Sequence, residues 1–250
     1  METPDQPSER HFSRYLEFYR DFLTEAPMSH ALWRASEFRA LSREPMPGPV
    51  LDLGCGDGSF SAYLFRGKDV VGVDADPAEV LRAAGRGAHS ALAAADGRAL
   101  PFRDNVFATA VSNCVIEHVP EPGALLAEAL RVLRPGGCFF ATAPTDAFAA
   151  RLFFPRMLRA AGLGAAARAY GRIANRVLRH TNILSAGQWA GALRAAGFEA
   201  VRAEPLVPDA ALAVFDLGIG PAACAYAVRR TDGRWHAVPA LRRAQDPVIA

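Results

Sequence analysis

The sequence has little lysine, few cysteines and little net charge, and each shortage excludes a class of protein. Lysine occurs once, at Lys68, and the four cysteines lie far apart without a C-x-x-C pair. Scattered cysteines predict neither a zinc site nor a disulfide framework, and they favour a reducing, cytoplasmic setting. A formal net charge of +2 is too small to predict nucleic-acid binding by itself.

Long apolar runs are also missing. The most apolar long region, 206–228, is interrupted by Asp209 and Asp216, so the sequence predicts no membrane-spanning helix. The first ten residues are polar and do not have the pattern of a signal peptide. We therefore expect a soluble, globular protein whose 250 residues suffice for a sizeable core.

Acidic residues are absent from one long segment. Between Asp146 and Glu199 the chain has no acid, although it has eight arginines: Arg151, Arg156, Arg159, Arg168, Arg172, Arg176, Arg179 and Arg194. Three of these recur every four residues from Arg168 and predict a basic stripe on one helix face. Tyr170, Ile173 and Val177 predict a second, apolar face. Three interpretations of such a helix stay open: it contacts an anionic membrane surface, it binds an acidic or lipid-linked substrate, or its basic face is only exposed to solvent.

The middle of the chain alternates predicted strands and helices. Five strands are predicted at "VLDLG", "DVVGVD", "SALAAAD", "VFATAVSN" and "CFFATAP". Further strands are predicted at Phe198–Glu204 and Cys224–Arg230. Strands separated by helices of ten to fifteen residues predict right-handed crossovers and a mostly parallel sheet. The expected fold class is therefore α/β, doubly wound, with a seven-stranded Rossmann-like sheet.

The same reading divides the chain into regions. Helical periodicity over 8–42 and a proline-rich linker predict an N-terminal helical cap at 1–48. The main domain is expected at 49–235, with a helical insertion at about 146–184 and a tail at 236–250. Ser185 and Gln188 have the spacing of a capping box, which predicts that a helix starts again after the insertion.

A glycine cluster follows the first strand, in "VLDLGCGDG" at Val50–Gly58. In an open parallel sheet, ligands bind beyond the carboxyl ends of the strands. The spacing is G-x-G-x-G, whereas the dinucleotide fingerprint needs its third glycine one position later. Asp74 ends the second strand and can accept two hydrogen bonds from a ribose diol. These residues predict a cofactor that has a ribose but no pyrophosphate.

Four motifs together carry a family resemblance: "VLDLGCGDG", "VVGVDADP", "AADGRALPFRDNVFATAVSNCVIEHV" and "ALRVLRPGG". The chain from 50 to 204 resembles the class I S-adenosylmethionine-dependent methyltransferases, in particular the small-molecule branch related to the ubiquinone and menaquinone methylases. The resemblance implies an enzyme that uses S-adenosylmethionine. It also implies that the N-terminal helices and the insertion form a lid over the acceptor.

The resemblance further implies a set of cofactor-binding residues from four segments. They are Asp52, Gly54, Cys55, Gly56, Asp74, Ala75, Asp96, Gly97, Asn113 and Cys114. The first segment surrounds the methionine end of the cofactor, and Asp74 binds its ribose. The third segment lies beside the adenine, and the fourth closes the pocket under the sulfonium.

Two histidines are candidate catalytic residues. His118 follows the fourth strand and either accepts a proton from a hydroxyl or amine nucleophile or only packs near the cofactor. His180, at the end of the insertion, is the second candidate base. A carbon nucleophile would need no base. The sequence offers no cluster of metal ligands, so no metal is expected.

Three other functions compete with a small-molecule methyltransferase. A nicotinamide-dependent oxidoreductase would use the same sheet but lacks its third glycine. A nucleic-acid methyltransferase would use the arginine-rich insertion as a phosphate track. A non-catalytic scaffold would bind the cofactor only. We expect a small acceptor, anionic or lipid-associated, no nucleic-acid partner, and a membrane or lipid-linked contact through the insertion. Neither the acceptor nor the oligomeric state follows from the sequence.

Overall fold

Five parallel strands form the sheet in the computed structural model, which describes residues 9–218. The strand order is β3-β2-β1-β4-β5, and every neighbouring pair is parallel. The strands are β1 Val50–Leu53, β2 Val70–Asp74, β3 Ala91–Ala94, β4 Phe107–Asn113 and β5 Leu133–Thr142. The prediction of an α/β, doubly wound fold is confirmed.

Nine helices precede residue 200 in the described part of the chain. They are α1 Glu9–Phe22, α2 Met28–Leu41, α3 Ser61–Leu64, α4 Pro77–Ala84, α5 Pro122–Val132, α6 Ala147–Arg151, α7 Phe153–Ala160, α8 Gly164–Val177 and α9 Ala186–Ala195. Residues 209–218 are helical as well. In this same part of the chain, no helix is long and apolar enough to cross a membrane.

Phe198–Glu204 forms no ladder with another strand among residues 9–218, so the strand predicted there is not confirmed. Phe198 does stack on Phe139 of β5, with ring centroids 5.5 Å apart, so the segment begins beside the sheet. Its alternating apolar and polar residues are typical of a strand, but a strand also needs a backbone partner. The predicted strand Cys224–Arg230 lies outside the described residues.

The two faces of the sheet bury different clusters, since successive side chains along a strand point to opposite faces. Val50 and Val70 pack into an aromatic cluster with α1, α2 and α3, where Phe18 stacks on Phe38 at 4.5 Å. Leu51 and its neighbours on that face pack against α5 and α9. The two N-terminal helices are thus packed on the sheet domain, and the division into predicted domains stays a prediction.

The insertion comprises α6, α7 and α8 and is tied to residues 209–218. Asp216 is 2% exposed and accepts two hydrogen bonds from the insertion. One comes from the Tyr170 hydroxyl at 2.6 Å and the other from the Phe154 backbone N–H at 2.8 Å. Trp33 of α2 packs on Phe148 of α6, with ring centroids 5.6 Å apart. The cap, the insertion and the 209–218 helix therefore meet at one place.

Replacement of Asp216 by alanine leaves both donors without their partner, so we expect the free energy of unfolding to fall by about 3 kcal/mol. Urea denaturation measures this change. Asp209→Ala is the matched control, because Asp209 forms only exposed ion pairs, with Arg151 and Arg156. Loss of these pairs should cost less than about 1 kcal/mol. Equal losses in the two variants would contradict the role given to Asp216.

Candidate functional site

The strand order reverses direction between β1 and β4, and ligands of open α/β sheets bind at this kind of position. From β1 the chain moves outward to β2 and β3, then returns to the other side of β1 for β4 and β5. The four predicted cofactor-binding segments begin at the carboxyl ends of β1, β2, β3 and β4. The structure therefore brings these segments together along one edge of the sheet.

In the loop after β1, Gly54 and Gly56 are glycine for different reasons. Gly54 has φ +80°, and a Cβ there would lie 2.3 Å from a methyl group of Val115, which follows β4. Gly54 is therefore required both by its backbone conformation and by the close approach of the β4 loop. Gly56 has φ +54°, but a Cβ there would meet no atom within 4 Å. The loop thus leaves open space at Gly56, which fits a bound cofactor.

Asp74 joins the glycine loop to the end of β2. Its Oδ2 accepts the Gly56 backbone N–H at 2.9 Å, and its Oδ1 accepts the Asp76 N–H at 2.9 Å. An ionised carboxylate has about four acceptor sites, so each oxygen can accept a further hydrogen bond from a ribose hydroxyl. Ala75 lies exposed in the turn between the two aspartates.

Asp52 lies in the interior, unlike the predicted cofactor residues Asp74 and Asp96. It is 4% exposed, and its Oδ2 accepts hydrogen bonds from Ser61 Oγ at 2.5 Å and His89 Nε2 at 2.8 Å. This carboxylate links β1 to α3 and to the segment before β3. Cys55 is also buried, and burial raises the pKa of its thiol. The contacts of Asp52 and Cys55 with a cofactor stay predictions.

Asp96 and Gly97 differ in what surrounds them. Asp96 is exposed and accepts a bidentate interaction from Arg98, whose hydrogen bonds lower the pKa of Asp96 to about 2. Gly97 is enclosed, since a Cβ there would lie 3.0 Å from Leu125 and 3.2 Å from Leu53. The Asp96 carboxylate is therefore charged and accessible, whereas Gly97 allows α5 to pack closely on the sheet.

Asn113 and Cys114, at the end of β4, contact a buried carboxylate of the N-terminal cap. The Asn113 Nδ2 donates to Glu37 Oε2 at 3.2 Å, and the Cys114 thiol donates to Glu37 Oε1 at 2.8 Å. Burial raises the pKa of Cys114, so the thiol keeps the proton that it donates. Thr142 of β5 donates to Asn113 Oδ1 at 2.6 Å and fixes the orientation of that amide.

Glu37 accepts two further hydrogen bonds from its own helix. Trp33 Nε1 donates at 2.7 Å and Arg34 Nη1 donates at 2.9 Å. Glu37 is only 2% exposed, and Arg34 supplies the opposite charge that a buried carboxylate needs. Neither Arg34 nor Glu37 was predicted from the sequence. Their signal was the i, i+3 pair of opposite charges in "WRASE" of α2.

A cavity of about 170 Å³ lies beside this network. Its polar lining consists of His30, Arg34, Cys114, Glu117, His118 and His180. An apolar cavity of about 150 Å³ holds a benzene ring, so this one accommodates a ring-sized group. The structure brings the two predicted catalytic histidines together here, with ring centroids 5.9 Å apart. Because Cys114 contributes to the wall, the cavity adjoins the predicted cofactor site.

The imidazoles of the cavity have defined hydrogen bonds. His118 Nδ1 lies 2.9 Å from the Arg179 carbonyl oxygen, which can only accept a hydrogen bond, so this ring nitrogen carries the proton. His180 Nδ1 lies 3.0 Å from Asn175 Oδ1, which is also an acceptor, so Nδ1 of His180 carries a proton as well. Burial lowers the pKa of His180 to about 4, with a smaller effect of His118. At neutral pH His180 is thus uncharged, with a free lone pair on Nε2.

Glu117 is the most unusual group in the cavity wall. It is 1% exposed, its Oε2 has no hydrogen-bond partner within residues 9–218, and its Oε1 lies 3.7 Å from His118 Nε2. Burial raises the pKa of Glu117 to about 7. Buried polar atoms without a partner are uncommon in folded proteins, and a catalytic role or a bound ligand, ion or water molecule explains such atoms. Glu117 was not predicted from the sequence, although it lies in the same "EHV" motif as His118.

The raised pKa of Glu117 predicts a pH dependence of stability. Between the unfolded pKa of 4.5 and the folded pKa of about 7, the folded state holds a proton that the unfolded state has lost. This contribution to the free energy of unfolding therefore falls with rising pH, by about 1.4 kcal/mol per pH unit. His30 and His180 have lowered pKa values and act in the opposite direction.

The measurable quantity is therefore the wild-type stability minus that of Glu117→Gln, because both proteins keep the two histidines. Urea denaturation at several pH values should show this difference falling by about 3 kcal/mol from pH 4.5 to pH 7. A difference that stays constant over this interval would contradict the raised pKa of Glu117.

Comparisons with known proteins agree with this geometry. Residues 51–141 match the family described as "Methyltransferase domain". An uncharacterized methyltransferase of Mycobacterium sp. (strain JLS) is 40% identical over 115 residues, which are 45% of this chain and 43% of that protein. A relative from Mycobacterium tuberculosis (strain ATCC 25177 / H37Ra) is 39% identical over 125 residues, 48% of this chain and 47% of that protein. The chain thus spans less than half the length of these curated relatives.

A solved structure shares the fold at low sequence identity. A methyltransferase from Thermotoga maritima, described as a possible histamine N-methyltransferase, has a TM-score of 0.53 and 21% identity, covering 76% of this chain and 81% of its own. The branch related to ubiquinone methylases stays a prediction. Three features indicate the same family. They are the matched domain, the parallel sheet whose strand order reverses at β1, and the glycine loop. Residues 51–141 form a domain of the class I S-adenosylmethionine-dependent methyltransferases.

Proposed function

We propose that the protein transfers the methyl group of S-adenosylmethionine to a small acceptor that binds in the cavity lined by Glu117, His118 and His180. The observation that carries this proposal is the buried Glu117 Oε2, which has no hydrogen-bond partner among the described residues and lies in the wall of a ring-sized cavity beside Cys114. Bound S-adenosylmethionine supplies a methyl group that is already activated by a sulfonium leaving group. The protein then has to align the acceptor and exclude water, which can contribute about 7 to 11 kcal/mol.

The cofactor is assigned to the loops after β1 to β4. Asp74 accepts the ribose hydroxyls, the open space at Gly56 takes the methionine end, and Asp96 lies beside the adenine. Asn113 and Cys114 lie under the sulfonium. The free acceptor sites of the Asp74 carboxylate and the conformation of the glycine loop support this assignment.

Glu117 is the proposed proton acceptor for a hydroxyl or amine nucleophile. A pKa of about 7 suits a general base at neutral pH, and such a base contributes a factor of about 100 to 10,000 in rate. His180, with its pKa of about 4, is a weak base, so we assign its Nε2 a hydrogen-bond acceptor role toward the substrate. His118 lies between Glu117 and His180 and contacts both side chains.

The competing functions receive less support. The ring-sized volume of the cavity favours a small acceptor over a nucleic-acid strand, and the family match disfavours a nicotinamide-dependent oxidoreductase. The strongest alternative to methyl transfer is a protein that binds the cofactor without catalysis or that catalyses another reaction. The [4+2]-cyclase SpnF shares the fold with a TM-score of 0.56 and 22% identity, covering 84% of this chain and 74% of its own. Fold alone therefore does not establish methyl transfer.

The cofactor assignment predicts that Asp74→Asn weakens binding of S-adenosylhomocysteine by roughly 10- to 100-fold, because charge-assisted hydrogen bonds to the ribose are lost. Isothermal titration calorimetry of both proteins measures this change. Asp76→Asn is the matched control, since Asp76 caps α4 and asparagine caps a helix equally well. Its affinity should equal that of the wild type. A wild-type protein that prefers NADH to S-adenosylhomocysteine would contradict the assignment.

The acceptor assignment predicts that methyl transfer to ring-sized hydroxyl and amine probes, such as phenol, catechol and imidazole, rises with pH through about pH 7. Deprotonated Glu117 is then the active form. Glu117→Gln should lower the initial rate with labelled S-adenosylmethionine by at least about 100-fold. Its affinity for S-adenosylhomocysteine should not change. Full activity in this variant would exclude Glu117 as the base, and transfer to none of the probes would favour the non-catalytic alternative.

A further inference from the structure

Helix α8 buries its small residues and leaves its larger apolar residues exposed. Ala167, Gly171 and Ala174 form the buried face, and a Cβ at Gly171 would lie 3.0 Å from Ala149 of α6. Ile173 is 60% exposed and Val177 is 58% exposed. The tight contact with α6 explains the small residues on the inside. Nothing in the packing of the insertion explains the large apolar residues on the outside.

These exposed residues belong to a larger apolar surface. Among the described residues, six of the eight exposed large apolar side chains lie in the insertion: Phe154, Met157, Leu163, Ile173, Val177 and Ile183. The rings of Phe154 and Tyr170 pack together at 5.8 Å. Ile173 and Val177 follow Tyr170 at helical spacing, so Phe154, Tyr170, Ile173 and Val177 form one continuous apolar strip. Contiguous apolar patches of this kind mark interaction sites.

A row of arginines flanks the apolar strip on the exposed side of α8. Arg168, Arg172 and Arg176 are exposed, and Arg176 follows Ile173 at the i, i+3 spacing that makes side chains neighbours on a helix surface. None of the three takes part in an ion pair within residues 9–218. The whole segment 147–198 contains no acid that could neutralise them. The exposed face of α8 therefore combines uncompensated positive charge with apolar side chains.

We propose that this face of α8 docks on the surface of an anionic lipid bilayer. The apolar strip would enter the boundary between headgroups and acyl chains, while the three arginines contact lipid phosphates. A second copy of the chain fits less well, because a twofold interface would bring two uncompensated arginine rows together. A nucleic-acid backbone would satisfy the arginines but would leave Ile173 and Val177 without apolar contacts. An anionic membrane satisfies both, and the inference does not depend on the proposed methyl transfer.

The test is flotation of the full chain with vesicles of phosphatidylcholine alone or of phosphatidylcholine with phosphatidylglycerol. We expect binding to the anionic vesicles only, and weaker binding at high salt. The triple variant Arg168→Gln, Arg172→Gln, Arg176→Gln should lose about 100-fold in affinity, since each arginine near the surface contributes about 1 kcal/mol. The matched control replaces three exposed arginines elsewhere, Arg103, Arg134 and Arg194, and should keep most of the binding.

The apolar contribution is tested separately. Ile173→Ser should weaken vesicle binding by about tenfold. Its control is Leu81→Ser, which removes an apolar side chain that is 76% exposed on α4 and should have no effect. Circular dichroism establishes that each variant is folded. Absence of binding to anionic vesicles, equal losses in a variant and its control, or self-association or RNA binding that depends on Ile173 would each overturn the proposal.

Discussion

The buried carboxylate of Glu37 is the interaction on which the proposed site depends most. It accepts hydrogen bonds from four donors, two on its own helix and two at the end of β4. A carboxylate that is 2% exposed is tolerated only when its charge and hydrogen bonds are satisfied. The N-terminal cap is therefore held against the carboxyl end of the sheet by electrostatics as well as by aromatic packing. This contact places Trp33 and Arg34 in the wall of the acceptor cavity.

The two halves of the proposed site are built on different principles. The cofactor half consists of backbone groups and single carboxylates at the ends of parallel strands, where Gly54 allows the loops of β1 and β4 to meet. The acceptor half is assembled from segments far apart in the chain: α2, the loop after β4, the end of the insertion and residues 209–218. Burial makes this half electrostatically unusual, because it raises the pKa of Glu117 and lowers that of His180.

Much of the fold and of the cofactor half could be predicted from the sequence. Each of these features lies within a short segment, whose local sequence pattern is enough to predict it. They are the strands, the glycine loop and Asp74, and the structure places their segments side by side. The strand predicted at Phe198–Glu204 is not confirmed, because these residues pair with no other strand in the described part of the chain. The pattern of apolar and polar residues shows which structure a segment can form, whereas pairing with a neighbouring strand decides whether it forms a strand.

The sequence by itself determined the parallel sheet, the position of the loops predicted to bind the cofactor, and the arginine-rich character of the insertion. Only the tertiary structure decided that Glu37 and Cys114, 77 positions apart, share a hydrogen bond, and that a buried oxygen of Glu117 has no partner among the described residues. Local periodicity carries no information about such contacts. They arise because distant segments close around one cavity, where the loss of water changes the charge, the pKa and the chemistry of each side chain.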